Sequence, residues 1–99
     1  MFGKMMEMKQ KMEEMKQRLD QISVTGNSPS EDVIVQMNGN KKLIGITISP
    51  ELAARGDAEE ISELTMVAFQ RAMEKAENVN ESEMRSSAGN LLPGLGGMF

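Results

Sequence analysis

Apolar residues Met1, Met5, Met8, Met12, Met15, Leu19 and Ile22 recur at alternating steps of four and three. That is a heptad seam on one helix, predicted from about Gly3 to Ile22. With Met5, Met12 and Leu19 at a and Met8, Met15 and Ile22 at d, the g positions are Lys4, Lys11 and Arg18. The e positions are Lys9, Lys16 and Ser23, while Glu7, Glu13, Glu14 and Asp20 fall on the outer b and c positions. Pairing two copies of this helix would set basic residues against basic residues in either orientation, so the pattern selects against self-pairing. The seam calls for a different, negatively charged helix. Changing Met8 or Met12 to Asp is then expected to destabilise by about 2–5 kcal/mol, the cost of losing a large buried side chain. Glu7 with Lys11 and Glu14 with Arg18 have the i,i+4 spacing that locally offsets part of the positive charge.

The period then changes from 3.5 to two. Val24-Thr25-Gly26 is a short β-prone run that its glycine ends, and Asn27-Ser28-Pro29-Ser30 is a turn by composition. Val33-Ile34-Val35-Gln36-Met37 alternates as a strand, with Val33, Val35 and Met37 on one face. Asn38-Gly39 is a hairpin signal. The return strand is Leu43 to Ile48, with Ile44, Ile46 and Ile48 on one face, and those isoleucines with Val33 and Val35 are expected to be buried. Ser49-Pro50 starts a short helical turn that Gly56 ends, and Asp57 with Glu60 forms a capping box for a second long helix. That helix is predicted to reach about Arg85, with Ile61, Leu64, Val67, Ala68, Ala72 and Ala76 as its main apolar face and Met66, Phe69 and Met73 widening it. Glu63, Glu74, Glu77 and Glu81 lie around the rest, which makes it the acidic helix that the basic-flanked seam requires. Residues 86–99 are rich in glycine, with Leu91, Leu92, Leu95, Met98 and Phe99 in no period. The chain thus divides into one domain over residues 1–88 and a Gly-rich apolar tail over residues 89–99, either flexible or a hook for another subunit.

Composition removes several classes of function. The 99 residues contain no Cys and no His, so there is no disulfide framework, thiol nucleophile, zinc-thiolate site or imidazole base. No cofactor or metal is expected. Trp and Tyr are absent and only Phe2, Phe69 and Phe99 are aromatic, so stacking on nucleobases is almost unavailable. No apolar run approaches the ~18 residues of a membrane span, and the charged first residues do not resemble a secretory signal. The chain reads as cytoplasmic. Its net charge is -4, yet residues 1–18 sum to +2 and residues 57–88 to -5. At this length one copy buries limited surface, and a dimer is expected.

The order Met1-Phe2-Gly3-Lys4, Val24-Thr25-Gly26, Asn38-Gly39, Ile48-Ser49-Pro50-Glu51-Leu52, Ala68-Phe69 with Ala72, then Leu92-Pro93-Gly94 and Phe99 resembles the YbaB/EbfC family of bacterial nucleoid-associated proteins from end to end. The resemblance implies an α+β protomer of order α-β-β-β-α, with a small antiparallel three-stranded sheet and two long helices. It further implies a tweezer-like homodimer whose sheets meet at the centre. The partner it implies is double-stranded DNA, bound with low sequence selectivity, in organising the nucleoid or modulating gene expression. The DNA contacts carried over are Lys4, Lys9, Lys11, Lys16 and Arg18 on the first helix, with Arg71 and Lys75 on the second. The residues themselves leave a second class open, a protein-interaction adaptor using the Met-rich stripe. An enzyme is the remotest class, because Glu31, Asp32 and the second-helix carboxylates could hold a cation but have no convergent spacing and no base.

Overall fold

The structure, a computed structural model, describes residues 2–55 and 57–91. Its elements are α1 (Phe2–Gln21), β1 (Ser23–Asn27), β2 (Val33–Asn38), β3 (Leu43–Ile48), α2 (Pro50–Arg55) and α3 (Ala58–Leu91). The α+β fold follows the order predicted, with α2 as the short turn at Ser49-Pro50. Met1 of the seam, Gly56 and the tail from Leu92 onward lie outside the described residues. The second long helix continues past Arg85 to Leu91, into the stretch that composition assigns to the tail.

The sheet is antiparallel in the order β1-β2-β3. Gly26 does not end β1 but lies within it, opposite Val35. Its position is fixed by α3: a Cβ there would collide with the Ala68 carbonyl and the Ala72 amide and stand 2.8 Å from the Ala72 Cα. Small residues on both sides let strand and helix touch backbone to backbone. Ala68, Ala72 and Ala76 are fully buried in this seam, together with Val33, Val35, Met37 and Leu52. Val24, Ile61, Leu64 and Met73 pack around them.

Each hairpin closes through a residue in the left-handed region. In the first, Glu31 (φ 62°) donates to the Ser28 carbonyl at 2.9 Å, and the Ser28 hydroxyl accepts from the Val33 amide at 3.0 Å. In the second, Lys41 (φ 66°) donates to the Asn38 carbonyl at 3.0 Å. The Asn38-Gly39 signal therefore marks a three-residue loop rather than a two-residue turn. Ser49 caps α2 by accepting from the Leu52 amide at 3.1 Å, and Asp57 caps α3 by accepting from the Glu59 and Glu60 amides at 3.0 and 3.2 Å. Glu60 turns to Arg55 at 3.1 Å and does not close the predicted box.

Two packing expectations are corrected. A helix is roughly 10 Å across and strands stand ~4.8 Å apart, so α3 covers about two strands. It lies over β1 and β2. Ile46 and Ile48, opposite Val35 and Val33, and Leu43, opposite Met37 beyond a register shift, therefore lie uncovered with Ile44, 38–53 % exposed rather than buried. The methionine seam also packs only in its second half. Met15 and Leu19 are buried, but Met5, Met8 and Met12 remain 46–68 % exposed. For Met5 and Met8 the cause is the offset of the two helices, whereas Met12, about 9 Å before Arg18, lies near the described end of α3. Arg18 on α1 meets Glu83, and Gly39, which sits on the Leu19 and Ile22 carbonyls at the end of α1, meets Asn80 one turn earlier on α3, so α1 runs antiparallel to α3. Beyond the Arg18–Glu83 contact, α3 has about 12 Å left to Leu91, whereas α1 extends about 24 Å back to Phe2. The first turns of α1 outrun their partner. A radius of gyration of 18.2 Å, against roughly 13 Å for a compact chain of this length, reflects that extension.

Two outcomes follow from this packing. Gly26→Ala forces a methyl group into backbone on α3 and is expected to cost about 3 kcal/mol, read as a lower urea midpoint at unchanged slope. Leu19→Ala should cost about 2–5 kcal/mol, whereas Met8→Asp and Met12→Asp should each shift stability by less than about 1 kcal/mol. A Met8→Asp loss as large as that of Leu19→Ala would show that the seam is covered.

Candidate nucleic-acid interface

The heptad places the α1 cations in two rows flanking the methionines. Lys4, Lys11 and Arg18 form one row, and Lys9 and Lys16 the other. Lys4, Lys9, Lys16 and Arg18 are exposed and Lys11 is half-buried. Arg18 reaches across to Glu83 on α3 at 3.3 Å rather than to Glu14 on its own helix. Among the described residues Lys4, Lys9, Lys11 and Lys16 have no ion-pair partner, so Glu7 does not neutralise Lys11. Along the Lys9–Lys16 row, these two lysines line a shallow open concavity of about 390 Å³ with Met5, Met8, Met12 and the outer Glu13.

Arg71 and Lys75 are not brought to this surface. They sit with Glu74 and Asn78 beside Thr25 and Asn27 of β1, around a separate concavity of about 480 Å³. Arg71 donates to the Asn27 carbonyl at 2.8 Å. Measured along α3, Arg71 and Lys75 stand about 18 and 12 Å from Glu83, where α1 docks. Glu74 sits within the same patch and lowers its positive potential.

Two cations escaped the reading of the sequence. Lys41 and Lys42, in the β2–β3 loop, are exposed and also have no ion-pair partner among the described residues. Asn40 beside them donates from its side-chain amide to the Lys16 carbonyl at 2.9 Å, which seats the loop on the last turns of α1. The Asn-Gly signal named a turn there, but nothing in the periodicity says which helix the turn meets.

Glu31 and Asp32, weighed as cation ligands, serve the fold instead. Asp32 accepts from the Ser49 and Ser30 hydroxyls, both at 2.7 Å, and pairs with Arg55 at 3.5 Å. The Ser49 hydroxyl above all, then the Ser30 hydroxyl, hold its carboxyl below the usual carboxylate range against the opposing effect of burial, with Arg55 adding less than either. No group of three or more candidate metal ligands occurs among the described residues. No helix among them is long and apolar enough to cross a membrane.

Comparison with known proteins bears on the family and the fold. A nucleoid-associated protein from Chloroflexus aggregans is 31 % identical over 93 residues, covering 94 % of this chain and 89 % of its own. A nucleoid-associated protein from Caldanaerobacter subterraneus subsp. tengcongensis is 32 % identical over 90 residues, covering 90 % of this chain and 81 % of its own. The crystal structure of an uncharacterised protein from Helicobacter pylori superposes with a TM-score of 0.64 at 22 % identity, over 89 % of this chain and 98 % of that one, and so shares the fold. Residues 1–91 match the YbaB/EbfC DNA-binding family, and with these relatives the chain belongs to it.

Proposed function

We propose that this protein is a non-enzymatic, nucleoid-associated DNA-binding protein. It would act as a homodimer in the cytoplasm, bind double-stranded DNA with little sequence selectivity, organise the nucleoid and modulate gene expression. The observation that carries this reading is the pair of cationic rows on α1. In a chain of net charge -4, Lys4, Lys9, Lys11 and Lys16 stand together on a projecting helix without acidic partners among the described residues. Lysines so placed meet phosphates and release counterions, which gives affinity that falls steeply with salt. They read no base edges, so sequence selectivity would be shallow. Arg71 and Lys75 would form a second, weaker patch.

The dimer is supported by the overhang of β3. Leu43, Ile46 and Ile48 continue the core face beyond the cover of α3, on a strand with one edge outside the sheet. Met66 and Phe69, exposed on the side of α3 away from Arg71, add to that apolar surface. An exposed apolar edge of this kind needs cover, and a second copy supplies a matching one. Two copies would then present two sets of α1 cations to one duplex, raising avidity without new contacts.

The exposed Met5, Met8 and Met12 favour a second reading, a protein adaptor that docks a foreign helix on the methionine stripe. Titration with DNA separates the two. Lys9→Glu/Lys16→Glu should weaken binding to unrelated duplexes by a similar factor, and each lost phosphate contact should flatten the salt slope by about 0.9. A normally folded double variant that binds like the parent at low salt would refute the α1 assignment. Ile46→Asp should convert the dimer to a monomer in sedimentation and weaken DNA binding with it. A parent that sediments as a stable folded monomer at micromolar concentration would refute the dimer.

A further inference from the structure

We propose that Lys41 and Lys42 form a preorganised phosphate-binding corner that extends the Lys9–Lys16 row past the end of α1. This inference rests on the DNA-binding reading and assigns to it a contact that lies off the long helices.

The β2–β3 loop is locked from within. The Asn38 side-chain carbonyl accepts from the Asn40 amide at 2.9 Å and the Lys42 amide at 3.1 Å, and the Asn38 amide donates to the Lys42 carbonyl at 3.0 Å. It is locked from outside as well. The Gly39 amide donates to the Leu19 and Ile22 carbonyls at 2.9 and 3.0 Å, which satisfies acceptors at the end of α1. Asn40 donates to the Lys16 carbonyl at 2.9 Å and to the Asp20 carboxylate at 2.6 Å, and Asn38 donates to the same carboxylate at 3.3 Å. From α3, Asn80 donates to the Gly39 carbonyl at 3.2 Å. Glycine at position 39 is required by this approach, since a Cβ would stand 2.8 Å from the Leu19 carbonyl oxygen.

The loop therefore moves as one body with α1, and its two lysines begin one residue from a side chain that touches Lys16. Lys9 and Lys16 are about 10 Å apart along the helix, and the loop places the next cations beyond Lys16. Asp20, the carboxylate that the loop touches, is held by Asn38 and Asn40 and keeps its charge, and Glu13 lies beside Lys9 and Lys16, so the corner's potential is set by Lys41 and Lys42 against these two acids. A rigid mount matters for a flexible side chain, because less freedom is lost on binding. The bland alternative is that these lysines merely complement the negative end of the α1 dipole. Lys41 offers a way to separate the two. It lies at φ 66°, where glycine is at ease and a lysine is strained. Glu31 shares that conformation in the other hairpin, so the strain does not itself mark a site. It makes the substitution informative.

Lys41→Gly/Lys42→Ala relieves the strain while removing both charges. The full chain is titrated by fluorescence anisotropy against a nonspecific duplex from about 50 to about 200 mM salt. The double variant should melt no lower than the parent, bind about fivefold or more weakly at low salt, and lose about 0.9 of slope for each contact removed. Lys41→Arg/Lys42→Arg should keep both the affinity and the slope. Lys42→Glu leaves the strained position untouched and should weaken binding in the same direction. A folded Lys41→Gly/Lys42→Ala or Lys42→Glu variant with the parent's affinity and slope overturns the corner. If Lys9→Glu/Lys16→Glu weakens binding in the same assay, the wider reading survives that result. A parent that does not bind even at low salt overturns both.

Discussion

The contact on which this structure depends is the backbone approach of β1 to α3, where Gly26 meets Ala68 and Ala72. No side chain intervenes, so the strand can lie directly on the helix. That approach seats Val33, Val35 and Met37 of β2 beside the same alanine stripe. It also fixes what is left over. One helix centred near β1 and β2 cannot reach β3, and the core face runs out into solvent as Leu43, Ile46 and Ile48. The surface proposed for the dimer is thus a consequence of how tightly the first two strands are held.

The same placement sets the geometry of the arm. β1 follows α1 directly, so the position of β1 on α3 decides where α1 arrives, at Glu83 through Arg18. From there α1 continues past the described end of α3 and carries Lys4 and Lys9 away from the acidic stretch that surrounds the core. The electrical asymmetry of the chain becomes spatial. The carboxylate that meets α1 is matched by Arg18, while Lys4, Lys9, Lys11 and Lys16 remain free among the described residues. A protein of net negative charge can present a positive surface because the two are held on different parts of an elongated protomer.

Periodicity made most of the protomer legible. The heptad located α1, the alternation of Val33, Val35 and Met37 assigned the core face of β2, and Ser49, Pro50 and Asp57 marked the helix starts. It failed where burial depends on extent rather than phase. Met5, Met8 and Met12 share the phase of Met15 and Leu19, but Met5 and Met8 lie beyond the described end of α3 and Met12 lies close to it. Ile46 and Ile48 have the phase of a core strand but lie one strand beyond the helix. Gly26 looked like punctuation and is a packing contact, because a local signal cannot tell a bend from a close approach. Lys41 and Lys42 were passed over for a similar reason: their meaning comes from Asn40 and Gly39 docking on a helix some twenty residues earlier. The α1 cations were found because their placement beside a seam is itself periodic.

The most direct test of the central claim is the affinity of the unaltered protein for two unrelated duplexes of equal length, measured against salt concentration. Phosphate contact by the α1 cations predicts two parallel lines of log affinity against log salt, each falling with a slope of about -3.6 or steeper if the four α1 lysines of one protomer that have no ion-pair partner among the described residues all engage. Affinity that does not change with salt, or no binding at low salt, would contradict the account.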